Sequence, residues 1–162
     1  MSDRVSVSVI VPTLLVEKAI DLIAKYSGDP NEVIEHPATV EGLPLSELVY
    51  YEVVDGWLSA MDSEAVLDAA NIPYDYSWEA TGDAKAGAAH GRILTDGRYK
   101  TTSVTEGEEA PFMHVMLGLI SEEKLQDLAA LITKHAETTH PIPWETQIEP
   151  VKKLAAELLL DG

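Results

Sequence analysis

The chain opens with apolar and polar side chains in alternation, a pattern typical of a β-strand. Valine takes every second position from Val5 to Val11. Because successive side chains of a strand point to opposite faces, this segment is predicted to be a strand with one buried face. After Pro12 the apolar positions recur at three- and four-residue spacing, which predicts a helix that ends near Gly28.

The middle of the chain contains two further predicted strands with a short helix between them. Residues 29–44 hold three prolines and are predicted to be a loop. β-Branched and aromatic side chains fill 48–54, which predicts a strand, and a short helix is expected at 63–70. Residues 74–79 alternate aromatic and polar side chains and are predicted to be extended.

A hairpin is the clearest feature of the second half. Asp96 and Gly97 lie between two strand-like segments at 92–95 and 98–104. An Asp-Gly pair adopts the positive φ angles of a type I′ turn, so two antiparallel strands joined by that turn are predicted. The preceding residues 81–91 are rich in glycine and alanine and are predicted to be a loop.

The last third is predicted to be mainly helical. Residues 112–120 are uniformly apolar, which predicts a buried strand, with a helix as the alternative. A helix is expected to begin at Ser121, and a proline-rich linker at 138–150 precedes a C-terminal helix over 151–160. The sum is a single α+β domain over 1–162, with a mostly antiparallel sheet of five to six strands and about four helices.

Composition places the chain among globular proteins. It has 162 residues, 46% of them apolar, and no cysteine. These values exclude a disordered acidic chain, a disulfide scaffold and a thiolate metal site. The start, MSDRVSVSVIVP, lacks the features of a secretory signal, and no apolar run approaches the roughly 20 residues of a membrane helix. We therefore expect a cytoplasmic protein that does not contact a membrane.

Most of the negative charge lies in one stretch of the chain. The formal charge is -17, and between Lys25 and Lys85 there are thirteen acidic residues and no Lys or Arg. A chain with this charge is expected to be repelled by nucleic acid and by anionic lipid. A basic protein is the expected partner, and no cofactor is predicted.

Twelve residues of this stretch form the predicted partner-binding surface, which combines carboxylates with aromatic rings. In an extended 74–79 segment the three aromatic side chains share one face of the strand. The alternative is that this aromatic face packs into the core, as apolar faces of alternating strands usually do. The twelve residues are Glu47, Glu52, Asp55, Asp62, Glu64, Asp68, Tyr74, Asp75, Tyr76, Trp78, Glu79 and Asp83.

Basic residues follow the acidic stretch and cluster on or beside the predicted hairpin. They are Lys85, Arg92, Arg98 and Lys100. These residues either neutralise the acidic stretch within the fold or make the surface self-complementary, which would favour a homodimer.

The histidines are the main candidates for chemistry. His90, in the Gly-rich segment, is the best catalytic candidate, but no nucleophile and orienting group can be assigned to it from the sequence. His135 and His140 are five residues apart, a spacing that does not place both on one helix face. No catalytic residue and no metal site are predicted, and a small enzyme with its site near His90 is the alternative to a binding protein.

Several short elements follow one another between residues 49 and 98. They are a strand with an E-V core, an I-P-Y-D-x-x-W element and a Gly-rich lead into a hairpin. The residues are Glu52, Val53, Ile72, Pro73, Tyr74, Asp75, Trp78, Gly82, Gly87, Arg92 and Gly97. This stretch resembles small acidic accessory proteins of phages and plasmids. The resemblance implies a mobile-element setting and no particular reaction.

The sequence therefore predicts a non-enzymatic acidic binding protein. In a sharper form of this hypothesis, the chain is an inhibitor that mimics the charge of nucleic acid against a basic host protein. That form requires a continuous acidic stripe. The remaining alternative is that the acids serve only solubility.

Overall fold

The structure, a computed structural model, describes residues 4–36, 41–53, 64–79, 86–105, 109–139 and 141–161. The strands are β1 (Arg4–Pro12), β2 (Glu32–Glu35), β3 (Leu45–Val53), β4 (Tyr74–Trp78), β5 (Gly87–Ile93) and β6 (Tyr99–Thr105). Within the described residues they form one antiparallel sheet in the order β2-β3-β1-β4-β5-β6. The predicted α+β class with a six-stranded antiparallel sheet is confirmed.

The helices lie before, between and after the strands. They are α1 (Val16–Ser27), α2 (64–69), α3 (Glu109–Ser121), α4 (Leu125–Thr139) and α5 (Ile148–Asp161). Two short 3-10 turns, Thr13–Leu15 and Trp144–Gln147, lead directly into α1 and α5.

The core lies against the face of the sheet that carries the valine row of β1. Val9 is fully buried and has Leu48 of β3 and Tyr76 of β4 as its cross-strand partners. Cross-strand partners share a face, so these three side chains lie side by side. Ala19 of α1 and Leu67 of α2 belong to the same buried cluster. The alternation predicted for β1 is confirmed.

β5 consists largely of small residues and pairs with both β4 and β6. Glycine is needed here because aromatic rings lie directly over the backbone. A Cβ atom added to Gly91 would lie 1.8 Å from the hydroxyl oxygen of Tyr99, and one added to Gly87 would lie 2.2 Å from the ring of Trp78. The predicted loop is therefore wrong from Gly87 onward, since these glycines make room for neighbouring side chains and not for a flexible backbone.

Residues 112–120 lie in α3 and not in a buried strand. A uniformly apolar run has neither the period of a helix nor that of a strand, so the sequence pattern does not separate the two. In addition, α3 carries exposed apolar side chains, Leu117 among them. The prediction of a buried strand is wrong, and the alternative that the sequence allowed is the observed one.

The turn between β5 and β6 is at the predicted place but differs in type. The N–H of Gly97 donates to the carbonyl of Leu94 at 2.9 Å. Gly97 has a φ of 87°, whereas Asp96 does not have a positive φ. A type I′ turn requires a positive φ at both central residues, so the predicted turn type is wrong.

Candidate functional site

Asp75 of β4 is the centre of a polar network that joins distant parts of the chain. Its Oδ1 accepts hydrogen bonds from His90 Nδ1 at 2.7 Å and from Arg92 Nη2 at 2.6 Å. Its Oδ2 accepts one from Trp144 Nε1 at 2.7 Å. Burial raises the pKa of Asp75, but the hydrogen bonds from His90 and Arg92 outweigh burial and hold the pKa below its ordinary value.

Arg92 is the most buried charged side chain of this network, with 3% of its side chain exposed. Its Nη1 donates to the carbonyl oxygen of Tyr74 at 2.7 Å, and its Nε donates to that of Ile142 at 2.8 Å. The guanidinium carbon lies 3.8 Å from the centre of the Trp144 ring, within the range of a cation–π contact. Burial lowers the pKa of Arg92 while the charge of Asp75 raises it. A guanidinium nevertheless remains protonated in a protein.

Gln147 connects the C-terminal segment to the end of β5. It is fully buried; its Oε1 accepts a hydrogen bond from the Ile93 N–H at 2.8 Å, and its Nε2 donates to the Ile93 carbonyl at 2.9 Å. The side-chain amide thus takes the place of a neighbouring strand. Together with the contacts at Ile142 and Trp144, this bond attaches residues 141–147 to the sheet. The predicted linker at 138–150 is wrong for these residues.

Among the described residues, the surroundings of His90 do not complete a catalytic site. Asp75 orients the imidazole, as a catalytic carboxylate would, but its charge is also paired with the buried Arg92. Thr102 is the cross-strand partner of His90 on β6, and its buried hydroxyl oxygen has no hydrogen-bond partner in the part of the chain that the structure describes. A nucleophile and its base must be within hydrogen-bond reach of each other. The arrangement therefore positions β4, β5 and the C-terminal segment.

A cavity of about 660 Å³ lies between the β5–β6 turn and α5. Its lining includes apolar side chains such as Leu94 and Leu154 and carboxylates such as Asp96 and Glu157. Neither Asp75 nor His90 belongs to this lining. An active site is expected to combine a cleft with groups of perturbed ionisation. Here the cleft and the buried charged network are separate.

Two carboxyl groups on α2 form a second polar cluster with the hydroxyl groups of Tyr74 and Tyr99. Burial raises the pKa of Glu64 and of Asp68, and the charge of Asp68 raises that of Glu64 further. The Tyr99 hydroxyl donates to the carbonyl of Ile72 at 2.8 Å. The Tyr74 hydroxyl and Asp68 Oδ1 are buried without a hydrogen bond of ordinary length within the described residues. The cluster therefore favours protonated carboxyl groups.

β2 is the end strand of the described sheet, and all four of its residues are exposed. Val33 and Ile34 are 54% and 42% exposed. Glu32 and Glu35 occupy the ends of the strand, and Asp29 and Glu41 are exposed on either side of it in the chain. We call these six residues the acidic edge: Asp29, Glu32, Val33, Ile34, Glu35 and Glu41.

The backbone of β2 presents hydrogen-bonding groups to solvent. The His36 N–H donates to the carbonyl of Leu45 on β3 at 3.0 Å. Bonded and non-bonded pairs alternate along an antiparallel ladder, so Ile34 also turns its backbone groups towards β3. Val33 and Glu35 consequently turn their N–H and C=O groups to the outer edge of the sheet. This edge can accept another extended chain.

The aromatic part of the predicted partner-binding surface lies inside the protein. Tyr74 and Tyr76 share one face of β4, as the alternation predicts, but both are fully buried in the core. Trp78 is half-buried and lies over Gly87. The prediction that Tyr74 and Tyr76 contact a partner is wrong, because the apolar face of β4 packs into the core.

The predicted acids are distributed over several environments. Asp75 is hydrogen-bonded within the buried network. Glu47 accepts a hydrogen bond from the Ser8 hydroxyl at 2.6 Å. Glu64 and Asp68 are half-buried on α2, and Glu79 is exposed after β4. The side chain of Glu52 and the residues Asp55, Asp62 and Asp83 lie outside the described residues.

The acidic edge is not among the residues that the sequence pattern predicts to bind a partner. Glu32 and Glu35 bracket two apolar residues in a stretch predicted as loop. A strand of four residues is too short for the alternation to be recognised. The available signal was the pair of β-branched residues, Val33 and Ile34, in an otherwise polar and proline-containing segment.

Comparisons with known proteins give no match. No family model, curated protein or solved structure matches the chain. Among the residues that the structure describes, no group of three or more histidines and carboxylates could hold a metal ion. The described helices include none that is long and apolar enough to cross a membrane.

Proposed function

We propose that this chain is a non-enzymatic binding protein that accepts an extended, basic segment of a partner protein along the acidic edge. The observation that carries the proposal is the geometry of β2. It is an exposed end strand with outward backbone groups at Val33 and Glu35 and with carboxylates on both sides. Addition of a strand to such an edge is a recurring mode of peptide recognition.

Charge selects the partner in this proposal. No Lys or Arg occurs between Lys25 and Lys85, so the acidic edge has no basic neighbour in its own part of the chain. A field of one sign accelerates the approach of a segment with the opposite charge and repels nucleic acid. The partner class is therefore a basic protein segment, as the sequence predicts.

Side chains define the pattern that the partner segment would carry. Ile34 lies opposite Glu47 on β3 and Val33 lies opposite Leu48, so the two apolar residues point to opposite faces of the sheet. Each face of β2 thus offers one apolar side chain and one carboxylate. A segment with the order basic, β-branched, β-branched, basic would place a basic side chain beside each of Glu32 and Glu35 and an apolar one beside each of Val33 and Ile34.

The nucleic-acid mimic is the less favoured form of this function. A mimic needs carboxylates in one continuous stripe, spaced like phosphates. Within the stretch between Lys25 and Lys85, the described acidic side chains are divided among the acidic edge, Glu47 on β3, the cluster on α2, the Asp75 network and Glu79 after β4. The phage or plasmid setting and the cytoplasmic location stay predictions from the sequence.

The experiment measures, by fluorescence anisotropy, the binding of a fluorescein-labelled Lys-Val peptide of ten residues in which pairs of Val alternate with pairs of Lys. We expect the double substitution Glu32→Lys/Glu35→Lys to weaken binding about tenfold. The matched control is Glu79→Lys/Glu157→Lys, which changes the net charge equally at two exposed acids away from β2. This control should retain most of the affinity, because the site is local.

A backbone variant separates strand addition from general attraction to an acidic protein. Val33→Pro removes an N–H that points to solvent, and proline is tolerated on edge strands. We expect this variant to keep the thermal midpoint of the wild type and to lose about tenfold in affinity. Equal affinity of Val33→Pro and wild type, or equal effects of the two charge variants, would overturn the proposal. The same peptide with Glu in place of each Lys is the negative control.

A further inference from the structure

Tyr51 of β3 is an exposed aromatic residue beside the acidic edge. It is 46% exposed, although β3 has a neighbouring strand on each side. β2 pairs with β3 only over Ser46–Val49, so Tyr51 has no cross-strand partner on β2. Its partner on the other side is Ser6 of β1, whose side chain is small. Neither neighbouring strand therefore places a large side chain directly beside the tyrosine ring.

Asn31 fixes the backbone at this position. Its side-chain Oδ1 accepts a hydrogen bond from the Tyr51 N–H at 2.9 Å, and its own N–H donates to the Val49 carbonyl at 2.8 Å. The asparagine side chain thus occupies the place that the next residue of a longer β2 would fill. The ring of Tyr51 consequently projects from a backbone that is held in place beyond the end of β2.

The ring lies on the same face of the sheet as one carboxylate of the acidic edge. Glu32 is the cross-strand partner of Val49, and Val49 and Tyr51 are two residues apart on one strand. Paired residues share a face and so do residues two apart, which places Glu32 and Tyr51 on one face. A carboxylate and an aromatic ring both attract the cation of a Lys or Arg side chain. The combination of acid and aromatic ring that the sequence predicts within 74–79 is thus present at β2 and β3.

We propose that Tyr51 is a specificity-determining residue of the acidic edge and binds, through a cation–π contact, the long basic side chain that the partner segment places beside Glu32. The inference rests on the proposed function, because it needs a segment bound along β2. Two strand spacings and two residues along the strand separate the Cα atoms of that basic residue and of Tyr51 by about 12 Å. The tyrosine ring and the flexible stem of a Lys or Arg side chain together span this distance and bring the cation within about 6 Å of the ring centre.

Arg4 is the one basic residue of β1, β2 and β3. It lies opposite Val53 on β1, which is on the other side of β3 from β2. A basic side chain of the partner approaches the ring from the β2 side, where the chain has no Lys or Arg between Lys25 and Lys85. A contact of the ring with the partner depends on the length of the partner's basic side chain, whereas a contact with Arg4 does not.

The affinity of the Lys-Val peptide for the wild type, Tyr51→Leu and Tyr51→Phe, measured by fluorescence anisotropy, tests the inference. We expect Tyr51→Leu to weaken binding about threefold, because the aromatic face is lost, and Tyr51→Phe to bind as the wild type does. A peptide with 2,4-diaminobutyrate in place of each Lys keeps the charge, but each of its side chains is two carbons shorter. Tyr51→Leu should lose less affinity for this peptide, because its cations fall short of the ring.

A second measurement observes the contact itself by NMR. Side-chain protons of a Lys in the bound peptide should shift upfield through the ring current of Tyr51 in the wild type and in Tyr51→Phe, and this shift should be absent in Tyr51→Leu. If Glu32→Lys/Glu35→Lys weakens binding while Tyr51→Leu binds as tightly as the wild type, the inference fails and the proposed function stands. If the wild type does not bind the peptide, both fail.

Discussion

At the scale of single residues, Asp75 shows how strongly a charge depends on its surroundings. The sequence predicts it as part of an acidic surface, yet both of its carboxylate oxygens accept hydrogen bonds within the fold. These bonds come from residues 15, 17 and 69 positions away. Neither the periodicity nor the charge of the sequence predicts these three contacts, because they depend on the register of three separate segments.

The Asp75–Arg92 pair makes a large contribution that one substitution reveals. Asp75→Ala leaves the buried guanidinium of Arg92 without its counter-charge. We expect the free energy of unfolding, measured in urea, to fall by roughly 3–5 kcal/mol. Asp96→Ala is the matched control, because it removes an exposed ion pair with Arg98 together with a bond from the Arg98 N–H, and it should lower the value by less than about 1 kcal/mol. Similar losses in both variants would contradict the role of the buried pair.

Asp68 differs from Asp75 in the direction of its pKa shift: the pKa is raised in Asp68 and lowered in Asp75. Its pKa and that of Glu64 are raised by burial, so the folded state binds more protons than the unfolded state between the ordinary and the raised pKa. Stability from these groups is present at low pH and is lost as pH rises through that window. Asp75, whose pKa is lowered, contributes stability that is lost as pH falls through its folded pKa.

We therefore expect Asp68→Asn to raise the thermal midpoint at pH 7, with a difference from the wild type that disappears towards pH 4. The amide stays neutral where the carboxylate would carry an unfavourable buried charge. Asp127→Asn, at an exposed position of α4, is the control and should change the midpoint at pH 7 less than Asp68→Asn does. A midpoint at pH 7 that is lower in Asp68→Asn than in the wild type would show that the ionised carboxylate is stabilising.

At the scale of elements, the sequence predicts well where burial imposes a period. β1 and β4 have one clearly apolar face, β3 is rich in β-branched and aromatic residues, and the structure contains all three close to the predicted positions. The first part of β5 was missed because glycine and alanine carry no strand signal, although Gly87 and Gly91 are required by the rings that cover them. α3 was predicted as a strand because a uniform apolar run has no period. The acidic edge was missed because β2 has only four residues.

The attachment of the C-terminal segment is a second property of elements. Gln147→Met would remove both side-chain hydrogen bonds to Ile93. The N–H and C=O of Ile93 would then lack the partners that they have in the wild type. We expect a loss of about 2 kcal/mol in the free energy of unfolding and faster proteolysis between α4 and α5. Gln126→Met, at an exposed position of α4, is the control and should change neither quantity. An unaltered cleavage rate in Gln147→Met would contradict the attachment.

At the scale of the whole molecule, the two ends of the sheet differ. The β2 end is acidic and open within the described residues, whereas β6 at the other end contacts α4, which in turn packs against α3. The acidic edge is therefore far from these two helices, at the opposite end of the sheet.

The net charge of -17 leads to a prediction for the chain as a whole. Repulsion among like charges opposes the compact state, and salt screens it over about 8–10 Å. Thermal unfolding should therefore shift to higher temperature as sodium chloride rises from low to physiological concentration, while affinity for the Lys-Val peptide falls. A thermal midpoint that falls with added salt would show that attractive ion pairs outweigh the excess of negative charge.

The most direct test of the central claim is amide hydrogen exchange of β2, measured by NMR with and without the Lys-Val peptide. Strand addition would bond the outward N–H groups of Val33 and Glu35, and it would leave Ile34, whose backbone faces β3, nearly unchanged. We therefore expect slower amide exchange at Val33 and Glu35 when the peptide is bound. Peptide binding that leaves both amides at their original exchange rates would contradict it.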